Sequence, residues 1–201
     1  MSFHNKNING KKILFIAPIF FDYTTLITKM LKKHGASIIF INENRLGFFE
    51  NILRRISLKV CVIITNLLIK KSIKKIKDEV DIVFLIHGDL LNKNFMEFLK
   101  KKYNKSLFIM YQWDSINNNN NIPFLAKYFH KVFSFDREDC KNFGYHYLPN
   151  FYISTIKNTS NKENINDLLF VGKGHTDRVY LLNKIKESLP SKIKTKFIIY
   201  L

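Results

Sequence analysis

Two cysteines in a chain of 201 residues leave little room for sulfur chemistry. Cys61 and Cys140 stand far apart, and neither has a histidine or second cysteine at metal-ligand spacing. Both are expected as free thiols in the cytosol, and nothing resembles a zinc site. Acidic residues are also scarce, since 16 Asp and Glu face 33 Lys and Arg, a formal net charge of +17. An excess of that size has to sit on some surface, and it predicts anionic partners. Charge alone does not choose among nucleic acid, acidic phospholipid and a phosphorylated small molecule. The abundance of lysine, asparagine, isoleucine and phenylalanine, visible even in the loop Asn117 to Asn121, equally fits a compositional bias that raises charge without function.

Long apolar runs are missing as well. Ile56 to Ile69 is the only membrane-like stretch, and it contains Lys59 and Asn66 and falls short of the ~20 residues a spanning helix needs. The opening MSFHNKNINGKK is polar and leads straight into a strand, so it does not read as a signal peptide. No serine, histidine and aspartate set stands out as a nucleophilic triad, so transfer between bound substrates fits better than covalent catalysis. Helix-turn-helix, RNP and zinc-finger signatures are absent too, and the lysines are dispersed, so nucleic acid is not the expected partner.

What the chain does contain is an alternation of strand-like and helix-like runs. KKILFIAPIF, ASIIFINEN, DIVFLIHGD, SLFIMYQWDS and KVFSFD read as strands, and the mostly apolar ones fit strands buried on both faces. Helical runs separate them: one from about Asp22 to Gly35, a long or broken one from Gly47 to about Asp78, then NKNFMEFLKKKY, IPFLAKYFH and REDCKNFG, before an extended YHYLPNFY. This order predicts repeated βαβ units and an α/β fold, with a doubly wound parallel Rossmann-like sheet over residues 1–152. The polar stretch 153–166 reads as a linker. From 167 to 201 the pattern is strand, glycine loop, helix, strand, the start of a second Rossmann-like domain.

In open parallel sheets, ligands sit beyond the carboxyl ends of the strands, where loops diverge and helix N-termini present free N–H groups. Those ends here carry Phe20, Phe21 and Asp22; Glu43; His87, Gly88 and Asp89; Trp113, Asp114 and Ser115; Asp136 and Arg137; and then Lys173, His175 and Arg178. His87 can donate to a sugar hydroxyl and Asp89 can accept, although a hydrogen-bonded structural histidine reads equally well. Asp114 is a candidate general base if burial beside Trp113 raises its pKa, with helix capping as the plainer alternative. In VGKGHTDR, Gly172 and Gly174 allow a tight turn and Lys173, His175 and Arg178 can place positive charge beside a diphosphate. An ordinary strand-to-helix turn with Asp177 near the helix start accounts for the same residues. Asn66 to Val80 interleaves Leu67, Leu68, Ile69, Ile73, Ile76 and Val80 with five lysines, which on a helix gives an apolar stripe beside a basic face. That is the pattern of an anionic-membrane surface helix, or of an ordinary packed surface helix.

The segments KKILFIAPIFFDY, FLIHGDLLN, MYQWDSI, VFSFDREDC, YLPNFY and DLLFVGKGHTDR, spread over nearly the whole chain, resemble bacterial glycosyltransferases of the two-Rossmann-domain (GT-B) type. The likeness is to the CgeB-like enzymes of surface-polysaccharide and lipooligosaccharide assembly. The resemblance implies transfer of a sugar from a nucleotide-sugar donor to a surface glycan or lipid-linked acceptor, in the cytoplasm or at the inner membrane face. It implies His87 and Asp114 as catalytic residues and Asp22, Asp89, Trp113 and Asp136 on the acceptor side. Gly172, Lys173, Gly174, His175 and Arg178 would face the donor diphosphate. No cofactor or metal is expected, because basic side chains and helix dipoles can stabilise the leaving diphosphate. Members of this family have a full C-terminal domain, whereas this sequence stops after the first two strands of one, so a truncated chain, inactive alone, is the expectation. A non-catalytic basic binding module and a degenerate glycosyltransferase subunit are the alternatives.

Overall fold

The computed structural model describes residues 8–151, 166–174 and 177–200. The chain divides into two compact units, Met1–Phe151 and Tyr152–Leu201. Of the stretch read as a linker, only Asn166 is among the described residues.

The first unit is a six-stranded parallel sheet flanked by helices, a Rossmann-like α/β fold. Its strands are β1 (Lys12–Ala17), β2 (Ser37–Asn42), β3 (Ile82–Ile86), β4 (Leu107–Gln112), β5 (Lys131–Ser134) and β6 (His146–Tyr147), in the order β2-β1-β3-β4-β5-β6. The connecting helices are α1 (Tyr23–Lys33), α2 (Phe48–Ile56), α3 (Leu58–Lys74), α4 (Lys93–Lys102), α5 (Ile122–Ala126) and α6 (Arg137–Phe143). The chain steps outward from β1 to β2 and then crosses back to β3. Because parallel crossovers share one hand, that reversal puts α1 on one face of the sheet and α3, α4 and α5 on the other.

The burial pattern follows from this topology. β1 is buried on both faces, with Leu14 and Ile16 on one side and Phe15 and Ala17 on the other. The larger core joins Leu14 and Ile16 to Ile69 and Ile73 of α3, Phe95, Met96 and Leu99 of α4, and Leu125 of α5. The smaller core gathers Phe15, Ala17, Ile86 and Tyr111, with Ile27 of α1 packed against it. Phe15 and Phe84 stack across neighbouring strands with ring centres 5.1 Å apart.

The helical stretch beginning at Gly47 is broken, not continuous. Ser57 takes an extended conformation and its side chain accepts from the Val60 N–H, so it caps α3 where α2 stops. The basic stripe of Asn66 to Val80 is likewise divided. α3 ends at Lys74, and Ile69, Ile73 and Val80 lie in the core while Leu67 and Leu68 remain exposed.

The second unit is a βαβ element. β7 (Leu168–Lys173) and β8 (Thr195–Tyr200) pair in parallel from Leu168↔Thr195 to Lys173↔Tyr200, with α7 (Arg178–Ser188) between them.

Candidate active site

The reversal of winding falls between β1 and β3, and a crevice opens there at the carboxyl ends of the strands. It holds a cavity of about 450 Å³. Five of the six strand ends contribute: Pro18, Phe20 and Tyr23 follow β1, Asn44 follows β2, His87 follows β3, Trp113 and Asp114 follow β4, and Asn150 and Phe151 follow β6. Aromatic rings form one wall. Phe20 lies 6.1 Å from Trp113 and 6.0 Å from Tyr23, and Tyr23 meets Phe151 edge-on at 5.6 Å, all between ring centres. The polar groups are the imidazole of His87, the carboxylate of Asp114 and the amides of Asn44 and Asn150. Asn150 is fixed from below, because the Tyr111 hydroxyl donates to its Oδ1 at 2.8 Å. Burial pushes the Tyr111 phenol up to about 12, so it stays a neutral donor.

His87 is held by an elaborate turn. Its φ of 78° is in the left-handed region, rare for a residue with a Cβ, and Gly88 follows at φ 87°. Beneath this turn lies the carboxylate of Glu43, only 1% exposed. It accepts from the Gly88 N–H at 3.0 Å and, at the long limit of 3.5 Å, from the Leu90 N–H. Successive backbone N–H groups of this kind make an anion-binding concavity, and here the protein's own carboxylate fills it. The carbonyls are tied down too. Asn121 Nδ2 donates to Gly88 O, Asp89 O and Leu91 O at 3.0, 3.3 and 2.9 Å, and Gln112 Nε2 donates to His87 O at 2.8 Å.

The imidazole lies between two carboxylates. Nδ1 is 3.6 Å from Glu43 Oε2 and Nε2 is 3.8 Å from Asp114 Oδ2. The Asp89 N–H also points at Nδ1, at 3.5 Å. A protonated ring therefore has Glu43 and Asp114 to donate toward, and a neutral Nδ1 has an N–H to accept from. Burial disfavours the imidazolium, but Glu43, Asp89 and Asp114 together outweigh it and hold the His87 pKa above its ordinary value. An imidazole so placed, beside a partly exposed carboxylate, can pass a proton to or from a ligand hydroxyl in the cavity.

The structure brings Phe20, His87, Trp113 and Asp114 together at this cavity and puts Asp22, Asp89 and Asp136 elsewhere in the first unit. Asp89 lies behind the turn and pairs with Arg54 at 2.6 Å, which also reaches Glu50 at 3.1 Å. Asp22 is exposed at the N-cap position of α1. Asp136 caps α6, its carboxylate accepting from the N–H groups of Glu138 and Asp139 at 2.8 and 3.2 Å. Neither Asp22, Asp89 nor Asp136 lines the cavity.

In the second unit, Arg178 Nη1 donates to the Lys173 carbonyl at 3.0 Å, and its guanidinium sits 5.8 Å from the centre of the Phe170 ring. The glycines there have a packing reason. A Cβ on Gly174 would lie 2.7 Å from Ile199 Cγ2, and one on Gly172 would lie 2.8 Å from Phe170 Cζ. His175 lies outside the described residues.

Sequence reasoning puts Glu43 on the rim without giving it a task, and it does not single out Tyr23, Asn44, Asn150 or Phe151 as ligand-facing. The signal for the last two is present in YLPNFY, where an amide and an aromatic ring follow a strand end. Among the described residues, no group of three or more His, Cys, Asp or Glu side chains is arranged to hold a metal ion, and no helix is long and apolar enough to cross a membrane. Comparison of the chain with protein-family models, curated proteins and solved structures found no match.

Proposed function

We propose that the chain belongs to the machinery of sugar transfer, with a glycan or lipid-linked acceptor in the cavity of the first unit and a nucleotide-sugar donor met by the second. The observation that supports this most is the composition of the cavity: aromatic rings together with an imidazole, a carboxylate and two amides. Sugar rings have apolar C–H faces and hydroxyl edges, so they suit a site that offers both rings and hydrogen-bonding groups. His87, backed by Glu43, and Asp114 are the groups that would take the proton of the acceptor hydroxyl as its oxygen bonds to the anomeric carbon and the nucleoside diphosphate leaves. Lys173 and Arg178, at the turn into α7, are the cations assigned to that diphosphate, together with Gly172, Gly174 and His175. The donor is a co-substrate in this scheme, and no cofactor is assigned. The place of work is the cytoplasm or the inner face of the membrane.

Trp113 is the chain's single tryptophan and lines the cavity, so its fluorescence reports directly on occupancy. Titration with a panel of methyl glycosides and nucleotide sugars is expected to give saturable quenching by at least one glycoside. Trp113→Ala, followed by calorimetry, is expected to weaken that binding about tenfold. Asp114→Asn is expected to keep glycoside binding, with a loss of transfer to be read only where a complete donor domain is present, and Arg178→Ala to weaken only the nucleotide sugar. A folded chain that binds neither ligand class overturns the reading and leaves a non-catalytic binding module or a degenerate subunit.

A further inference from the structure

Single exposed apolar side chains are ordinary on a protein surface, but continuous runs of them are not. On α2, Phe48, Phe49, Ile52 and Ile56 recur at helical spacing, with Phe48 77% exposed, Phe49 67% and Ile56 76%. On the first half of α3, Val60, Ile63 and Leu67 continue the pattern at i, i+3 and i+7, all exposed. The two helices are joined at Ser57 and pack on one another, so the two apolar stretches are neighbours on the first unit.

The charge around that surface points to its occupant. Between Arg45 and Lys75 there are eight basic residues and one acidic residue, Glu50. Glu50 is buried and engaged with Arg54, so it offsets little of the exposed charge. Arg55 and Lys59 are exposed at the junction of the two helices, and Lys71 and Lys74 are exposed at the end of α3. A second copy of the chain would bring like charges face to face, whereas a bilayer with anionic headgroups would take both the phenylalanines and the cations.

We infer that α2 and the first half of α3 form an interfacial docking surface for an anionic lipid bilayer, with Phe48, Phe49 and Ile56 entering the headgroup layer and Arg55 and Lys59 meeting the phosphates. The surface reaches the cavity rim. A shallow depression lined by Ile19, Asn42, Asn44, Gly47, Glu50 and Asn51 lies at the start of α2, and Asn44 also lines the cavity. Docking here sets the mouth of the cavity close to the membrane plane. The proposal does not depend on sugar transfer, because a chain that binds vesicles but no sugar still supports it.

Co-sedimentation tests it directly, using vesicles of phosphatidylcholine alone and vesicles of phosphatidylcholine mixed equally with phosphatidylglycerol. The full chain is expected to bind the anionic vesicles, less tightly as salt rises, and the neutral ones weakly. Phe48→Ser combined with Phe49→Ser is expected to lower partitioning more than tenfold, and Arg55→Glu combined with Lys59→Glu to abolish the preference for anionic lipid. All four side chains are exposed, so unchanged thermal unfolding shows that the fold is intact. Absence of vesicle binding, or equal binding by the double-serine variant, overturns the proposal. So does sedimentation velocity showing a dimer that the same substitutions dissolve, because the surface is then an interface between copies.

Discussion

Glu43→Ala is expected to destabilise the first unit by about 3–4 kcal/mol, because it removes a buried carboxylate and leaves the Gly88 and Leu90 N–H groups without their acceptor. Glu43→Gln keeps the shape and one acceptor oxygen, which can still take the shorter bond from the Gly88 N–H, but loses the charge and replaces the second acceptor with a donating NH2, so about half that cost is expected. The two variants also separate the two tasks of Glu43, supporting the turn and supporting the imidazolium of His87. The His87 pKa is raised in the folded chain, so its contribution to stability is fully present below the unfolded value of about 6.5 and is lost as pH rises through the raised folded value. In Glu43→Gln the largest support for the imidazolium is gone, while burial still opposes it. The stability gap between the parent and Glu43→Gln should therefore be widest near about pH 6 and narrow toward about pH 9. Urea unfolding at several pH values across that window measures it. A gap that stays constant would mean that Glu43 serves the turn alone and that His87 owes its protonation to Asp114 and Asp89.

How far such a residue was legible in advance depends on which interaction places it. Strand and helix order came directly from hydrophobic pattern, because a strand buried on both faces, such as Leu14 to Ala17, cannot hide its composition. The strand ends followed from the topology, which is why His87, Trp113 and Asp114 could be listed together before any coordinates. Pattern does not reveal which rim carboxylates face a ligand. Asp136 and Asp114 look alike in sequence, yet one is consumed by two N–H groups at a helix start and the other remains partly exposed 3.8 Å from an imidazole. Glu43 was hidden for a related reason, since its partners Gly88 and Leu90 lie 45 and 47 residues away and only the pairing of β1 with both β2 and β3 brings them near. In the helical region after Gly47, pattern left two readings of the stripe through Ile69 and Ile73, a membrane-surface helix and an ordinary packed one. Those residues pack into the core, and the exposed apolar positions belong to α2 and the opening of α3, which periodicity alone does not distinguish from core positions.

Gly88→Ala is expected to cost about 3 kcal/mol, whereas Gly144→Ala, at another glycine of positive φ, is expected to cost only about 1 kcal/mol. Both backbones are left-handed, at φ 87° and 71°, so the alanine methyl meets the same conformational penalty in each. The surroundings differ. Nothing lies within 4 Å of a Cβ at position 144, but a Cβ at 88 would sit 2.6 Å from Leu125 Cδ1 and 3.0 Å from Leu85 Cδ2. Those leucines are 0% and 1% exposed and cannot swing into solvent, so the core has to expand or the turn has to move. Movement of the turn carries His87 with it and pulls the Gly88 N–H away from Glu43. Glycoside quenching of Trp113 should therefore be lost in Gly88→Ala at temperatures where the variant is still folded, and retained in Gly144→Ala. Equal costs in urea unfolding would mean that Leu125 yields without resistance. Loss of stability with intact binding would mean that the cavity tolerates displacement of this turn, and that His87 is not among the groups that recognise the ligand.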